Sequence, residues 1–325
     1  MSLAEVARLV REGEDFLVVP HRRPDADALG SSLGLASILR ALGKRATLFV
    51  PSGPPRSLTF LAQAGHLAHE LAPDARFDAT FVLDTASPEL LPDGMPGADR
   101  RGALVVLDHH ATHTDFGDLA LRDPAASATA VLVVRLAREL DVHPLPRDAA
   151  TPLYAALAAD TGGFRYLGTT AATMRLGAEL LDAGADAWTV SRHLFEDWPL
   201  GRLRLLGALV QGLSLEFDGR LAILRVSREL MRATGAADDM VDGLVNYGRM
   251  LHGVEVSALF WEWPAEEGRA ATKLSLRSNG HLDVSQVALA FGGGGHPAAA
   301  GALSTLSLEA TVERLRAEVL PLLSR

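Results

Sequence analysis

Residues 15–27 read DFLVVPHRRPDAD. The first part, 15–20, is a short apolar run with β-branched residues, which predicts a buried strand; it breaks directly into His21, Asp25 and Asp27. Residues 28–42 then carry apolar side chains at helical spacing, Leu29, Leu33, Ala36 and Leu39 among them, and Gly43 supplies a stop. Working outward, the same alternation continues. Residues 46–50, 79–83 and 103–107 read as strands, the segment PSGPPRS at 51–57 as a loop, and 126–140 and 148–159 as helices. Continuous apolar strands alternating with helices define an α/β fold whose parallel sheet is covered on both faces.

The residues directly behind each apolar element are the informative ones. ATFVL at 79–83 runs straight into Asp84, and ALVVL at 103–107 runs straight into Asp108-His109-His110. The apolar helical run at 152–159 ends at Asp160, followed by Thr161-Gly162-Gly163. In a parallel α/β sheet the C-terminal strand ends converge on one edge, where ligands bind. Three strand ends therefore deliver carboxylates and imidazoles to one edge, and Asp160 is placed to join them. Two carboxylates about 4 Å apart repel by roughly 4 kcal/mol at an effective dielectric near 20. A cluster of four must take up protons or hold cations. Aspartate and histidine without sulfur suit Mn²⁺, with Mg²⁺, Co²⁺ or Zn²⁺ as alternatives, and the set is large enough for two ions. Each residue alone has a plainer reading, an aspartate as helix cap or turn residue and a His-His pair as surface. The whole set, each member directly behind an apolar element, does not.

Composition bounds the rest. Of 325 residues 48% are hydrophobic and 22% charged, which excludes general disorder. No run approaches the length of a membrane span; the longest candidate, 128–137, is interrupted by Arg135. Glu5, Arg8, Arg11, Glu12, Glu14 and Asp15 break any signal-peptide core, so the expected setting is cytoplasmic, with no membrane partner. The absence of cysteine excludes disulfides, thiolate zinc sites and cysteine nucleophiles. With 31 basic against 40 acidic residues the formal charge is −9, which argues against wrapping long duplex DNA. Small anionic substrates stay open, because bound metal ions reverse the sign locally.

Beyond residue 172 the pattern turns helical to about 213, with Pro199-Leu200-Gly201 as a candidate hinge. Residues 213–217 and 221–226 around Asp218-Gly219 read as a hairpin, 254–260 and 272–278 as strands, and Leu308, Val312, Leu315 and Val319 share one face of a terminal helix. The expected organisation is a first domain over 1–186 that carries the acidic and imidazole groups, a helical linker over 187–213 and a smaller α/β domain over 214–325.

HxxPDxD at His21 to Asp27, the isolated Asp84, the Asp108-His109-His110 triplet and Asp160-Thr161-Gly162 resemble the ordered motifs of the DHH phosphoesterase superfamily. Arg277-Ser278, the run Gly292-Gly293-Gly294-Gly295-His296 and Ala299-Ala300-Gly301 resemble its DHH-associated C-terminal domain. Within the superfamily the chain is most similar to compact bacterial nanoRNases that also dephosphorylate 3′-phosphoadenosine 5′-phosphate (pAp). The resemblance implies an active site in the interdomain cleft with two divalent ions, Mn²⁺ foremost. His21 and Asp25 hold the first ion in that pattern, Asp27, His109 and Asp160 the second, and Asp84 bridges them with the water that attacks phosphorus. His110 touches the scissile phosphate or leaving oxygen, and Asp108 orients the neighbouring imidazoles. Arg277, Ser278, Gly293, Gly294, Gly295 and His296 form a backbone-rich cradle for the distal end of the substrate. Implied partners are short single-stranded RNA, with DNA open, and pAp; a homodimer is compatible with the pattern. Arg165, Ser127, Thr129, Arg249 and His252 read equally well as surface residues. The competing readings are a RecJ-like single-strand DNA exonuclease, a linear or cyclic dinucleotide phosphodiesterase, and a non-catalytic nucleotide sensor.

Overall fold

The computed structural model describes residues 3–62, 67–263, 271–280 and 282–323. The chain divides into two compact units, Met1–Asp197 and Trp198–Arg325.

The first unit contains strands β1 (Asp15–Pro20), β2 (Arg45–Phe49), β3 (Leu67–Ala68), β4 (Ala79–Leu83), β5 (Ala103–Asp108) and β6 (Leu119–Arg122). Its helices are α1 (Leu3–Glu12), α2 (Ala26–Ala41), α3 (Thr59–Ala62), α4 (Thr129–Glu139), α5 (Arg147–Asp160), α6 (Ala171–Asp182) and α7 (Ala187–Ser191), with a π-helical turn at Arg192–Glu196. The six strands form one sheet in the order β3-β2-β1-β4-β5-β6, every pairing parallel. Strand order reverses between β1 and β4, the position where open α/β sheets bind ligands.

The main core lies on one sheet face. There Phe16, Val18, Phe81, Leu83, Val105 and Leu107 meet apolar side chains of α1, α2, α4 and α5. Over the opposite face Leu17, Val19 and Phe49 pack under Ala68, Leu71, Phe77 and Met95, supplied by β3 and connecting segments. Helix α2 lies close against α5 because two of its residues lack side chains. A Cβ on Gly30 would come within 2.3 Å of the Pro152 carbonyl oxygen, and one on Gly34 within 2.5 Å of Leu153. This contact brings the start of α2 and the end of α5 toward one another, and both carry candidate ligands.

The second unit contains β7 (Ser214–Glu216), β8 (Leu221–Val226), β9 (Val256–Glu262), β10 (Thr272–Ser278), β11 (Gly294–His296) and β12 (Ala299–Ser304). Its helices are α8 (Leu200–Gln211), α9 (Arg228–Thr234), α10 (Val245–Arg249), α11 (Val284–Ala290) and α12 (Leu308–Leu323). The sheet order is β11-β12-β10-β9-β8-β7, antiparallel except for the β8–β9 pair. Side chains of α11 and α12 cover one face, and α8, α9 and α10 cover the other. The 187–213 stretch expected as a linker is divided: α7 and the π-helical turn belong to the first unit, α8 to the second.

Candidate metal centre

The site assembles at the C-terminal ends of β1, β4 and β5 and at the ends of α2 and α5. Asp25 is the N-cap of α2, its Oδ1 accepting from Ala28 N at 3.0 Å. Just inside the helix, Asp27 is fully buried. Asp84 follows β4 with φ +55°, a left-handed conformation that aspartate tolerates better than most residues. Asp108 closes β5 and is fully buried, and His109 is nearly so.

Each imidazole is oriented by a fixed acceptor. The Nδ1 of His21 donates to its neighbour's carbonyl, Arg22 O, at 2.9 Å, which turns Nε2 toward Asp25 (3.9 Å) and Asp84 Oδ2 (4.0 Å). His109 Nδ1 donates to Ala126 O at 3.1 Å. Its Nε2 then faces Asp160 Oδ2 at 3.0 Å, with Asp27 Oδ2 and Asp84 Oδ1 each at 3.5 Å. His110 Nδ1 donates to Asp108 Oδ1 at 2.7 Å. The other oxygen of Asp108 lies 3.9 Å from Arg122 Nε, and neither atom has a hydrogen-bond partner.

Ligand atoms of His21, Asp25 and Asp84 lie within 4.8 Å of one another, and so do those of Asp27, His109 and Asp160. Asp84 addresses both groups, Oδ1 toward His109 and Oδ2 toward His21. Asp84, Asp108 and His110 form a third such group.

The electrostatics show what this geometry lacks. Burial pushes Asp27 up to about 7, with the charge of Asp84 adding to the shift, and burial pushes Asp84 up to about 6. Asp160 is raised by burial as well. Burial works against a charge on His109, but the hydrogen bond to Asp160 and the charges of Asp160, Asp27 and Asp84 outweigh it and hold the imidazole up to about 11. His110 is held up to about 9 in the same way, by its hydrogen bond to Asp108 and by the charge of Asp84. Burial also acts on Asp108, yet the hydrogen bond from His110 wins and lowers its pKa. Among the described residues no lysine or arginine forms an ion pair with Asp25, Asp27, Asp84 or Asp160. Amide and hydroxyl donors meet some of these oxygens, and His109 Nε2 sits at the focus of three of the carboxylates. Hard oxygen donors and oriented imidazoles without a fixed countercharge fit two divalent cations.

The proposed substrate residues lie in the second unit. Register aligns Arg277 on β10, Ala299 on β12 and His296 on β11 in one cross-strand row, so Arg277 and His296 share a sheet face. Ser278 alternates to the other face, is buried, and accepts from the amides of Gly280 (3.1 Å) and Leu282 (3.4 Å). Its hydroxyl holds a turn. The glycine run is built into the β11–β12 hairpin. A Cβ on Gly293 would meet the Gly301 carbonyl at 2.1 Å, and Gly295 adopts φ +142° with Ala299 O at 2.5 Å from its Cβ position. Gly294 pairs with Gly301 across the hairpin.

Sequence reasoning left Thr129 undistinguished. The structure buries it completely and places it on two of the carboxylates. The available signal was Ala128: α4 starts with no capping side chain of its own, so its first amides had to be satisfied from elsewhere.

Residues 15–157 match the DHH family, N-terminal domain, and residues 218–323 match the DHHA1 domain. The bifunctional oligoribonuclease and PAP phosphatase NrnA of Thermus thermophilus is 36% identical over 319 residues, covering 96% of this chain and 91% of that protein. This chain belongs to the DHH family. A second DHH relative, the NrnA of Bacillus subtilis bearing the same description, is 28% identical over 300 residues and 92% of each chain. An exopolyphosphatase-related protein from Bacteroides fragilis superposes with a TM-score of 0.86 at 26% identity, covering 99% of this DHH chain and 97% of its own.

Proposed function

We propose that the chain is a two-metal phosphoesterase that hydrolyses very short oligoribonucleotides to mononucleotides and removes the 3′-phosphate of pAp, with Mn²⁺ as its working ion and the cytoplasm as its setting. The observation that carries the reading is the sharing of Asp84 between two ligand groups at the strand-order reversal. Two relatives described as bifunctional oligoribonuclease and PAP phosphatase, aligned over nine-tenths of the chain or more, support the choice of substrate class.

In this reading His21 and Asp25 hold one ion, Asp27, His109 and Asp160 the other, and Asp84 both. Such a pair would supply Lewis acidity at phosphoryl oxygens and would acidify a water nucleophile. The protein's own groups do the rest. His110, locked through Nδ1 onto Asp108, presents Nε2 as proton donor to the phosphate or leaving oxygen. Arg277 and His296, which share a sheet face, grip one end of the substrate.

The deciding experiment incubates wild type and Asp84→Asn with Mn²⁺ and a panel of pAp, diribonucleotide, five-mer and twenty-mer RNA, matched DNA, and linear and cyclic dinucleotides. Turnover of pAp and the shortest RNAs, lost in the variant, is the expected result. Preference for long single-stranded DNA makes the chain a repair-type exonuclease, and preference for signalling dinucleotides makes it a second-messenger hydrolase. No turnover with any divalent ion overturns the enzymatic reading.

A further inference from the structure

Thr129, the first residue of α4, serves two carboxylates from distant parts of the chain. Its backbone amide donates to Asp27 Oδ2 at 2.6 Å, and the next amide, Ala130 N, donates to Asp27 Oδ1 at 3.3 Å. Ser31 Oγ adds a third hydrogen bond to Asp27 at 2.8 Å. Asp27 thereby caps a helix to which it does not belong. The Thr129 side chain does something different: its hydroxyl donates to Asp84 Oδ1 at 3.0 Å. The imidazole nitrogens around Asp84 are farther off, at 3.5, 3.7 and 4.0 Å, and the nitrogen at 3.7 Å, His110 Nδ1, is already committed to Asp108.

An aspartate carboxylate turns in a broad, roughly two-fold well about its last torsion. Asp84 has to resist that rotation, because Oδ1 faces the His109 group and Oδ2 the His21 group. We infer that the Thr129 hydroxyl is the pin that sets this rotation, so that Thr129 is a positioning residue for a bridging carboxylate and decides whether the site takes up two ions or one. The role rests on the two-ion reading above. Threonine suits it: the helix fixes the backbone, the β-branch restricts χ1, and complete burial keeps water from replacing the hydroxyl. Because the Thr129 amide holds Asp27 through the main chain, a side-chain substitution removes the pin and leaves the cap.

The test is a Mn²⁺ titration of the purified full chain by calorimetry, paired with electron paramagnetic resonance, which distinguishes an exchange-coupled Mn²⁺ pair from isolated ions. No substrate is needed. Wild type is expected to bind two ions and show the coupled spectrum. Thr129→Val keeps the shape and removes the donor; Thr129→Ala guards against a packing defect peculiar to valine, and circular dichroism confirms the fold. In both, the weaker ion should bind about 10- to 100-fold less tightly, the loss usual for an outer partner of a metal ligand, and the coupled signal should give way to that of isolated Mn²⁺. Thr129→Ser, which restores the hydroxyl, should restore both readouts. Folded valine and alanine variants that bind two ions with wild-type affinity and coupling overturn the role of Thr129 while leaving the two-ion reading intact. A serine variant as defective as valine overturns it too, since the methyl group would then be the active part. A wild type that binds fewer than two Mn²⁺ overturns the reading itself, and this inference with it.

Discussion

Gly30→Ala should damage the site from within the helix pair that frames it. An added Cβ would lie 2.3 Å from the Pro152 carbonyl oxygen and 3.1 Å from Ala156 Cβ, whereas real contacts essentially never fall below 3.0 Å. The obstacle is backbone, so α2 and α5 must separate by about 0.7 Å to accept it. Overpacking of this kind costs about 1–3 kcal/mol, and the better helix propensity of alanine returns about 1. A clash against main chain belongs at the upper end, which leaves a net loss of about 2 kcal/mol. For a unit of this size that lowers the melting temperature by about 4–8 °C. The catalytic effect should exceed the thermal one. Asp27 sits on α2 just ahead of Gly30, and Asp160 closes α5. Ligand groups tolerate displacements of only about 0.5 Å, and a 1 Å misplacement can reduce rate by about 100-fold. Turnover of a diribonucleotide should therefore fall by about 10- to 100-fold, with weaker Mn²⁺ binding by calorimetry. Gly207→Ala is the control, since that glycine lies in the exposed part of α8 with nothing within 4 Å of its Cβ position; it should gain up to about 1 kcal/mol. If Gly30→Ala is instead stabilised like the control and binds Mn²⁺ normally, the close-packing argument is wrong.

Three further outcomes are expected from the same geometry. In chelator-treated protein Asp27 and Asp84 keep their protons up to about 7 and 6, against 3.8 in an unfolded chain, while His109 and His110 keep theirs up to about 11 and 9, against 6.5. The folded state thus binds more protons than the unfolded one from about pH 4 upward. Its melting temperature should fall as pH rises from 5 to 9, and the stabilisation added by Mn²⁺ should grow over that range; a metal-free melting temperature that climbs contradicts the assignment. Asp108→Asn should leave the fold intact but lower kcat by at least about tenfold and move the alkaline limb of the rate profile to lower pH, because His110 loses the partner that raises it. Gly293→Ala pushes a Cβ to 2.1 Å from the Gly301 carbonyl and should raise KM for short oligonucleotides while Mn²⁺ binding, measured separately, stays unchanged.

Strands with two flanking partners were legible in the sequence because burial on both faces demands unbroken apolar runs: β4 spans Ala79–Leu83, the run read from the chain. β10, Thr272–Ser278, was legible too, although its buried residues alternate. The outer strands of the first sheet were not. β3 is two residues long, and β6, Leu119–Arg122, is half-buried throughout, so neither carries a pattern of its own; each exists because a longer neighbour offers unpaired amides. The glycine run 292–295 read as a cradle, and its place in a hairpin was not legible because its restraint comes from Ala299 and Gly301 across the strand pair. The candidate ligands stood out only as a set: one acid behind an apolar strand reads as a cap or turn residue, but several behind strands that converge on one sheet edge do not. Thr129 was invisible for the converse reason, since its partners Asp27 and Asp84 lie 102 and 45 residues away. The burial of Ser278 was not legible either, since only register shows it sharing a sheet face with Leu276.

The hydrogen bonds from α4 to Asp27 bear on how such a protein loses its activity over time. A lineage released from selection for turnover can discard Asp160, which closes α5 and pairs with the His109 imidazole, or His21, whose ring donates to its neighbour's carbonyl; neither caps a helix. It cannot discard Asp27 so freely, because that change strips the cap from a buried helix end. Descendants that keep Asp27 alone are therefore expected as folded binding proteins, and its presence in a sequence says little about catalysis. His21 and Asp160 are the informative residues to read when sorting working enzymes from their inactive kin.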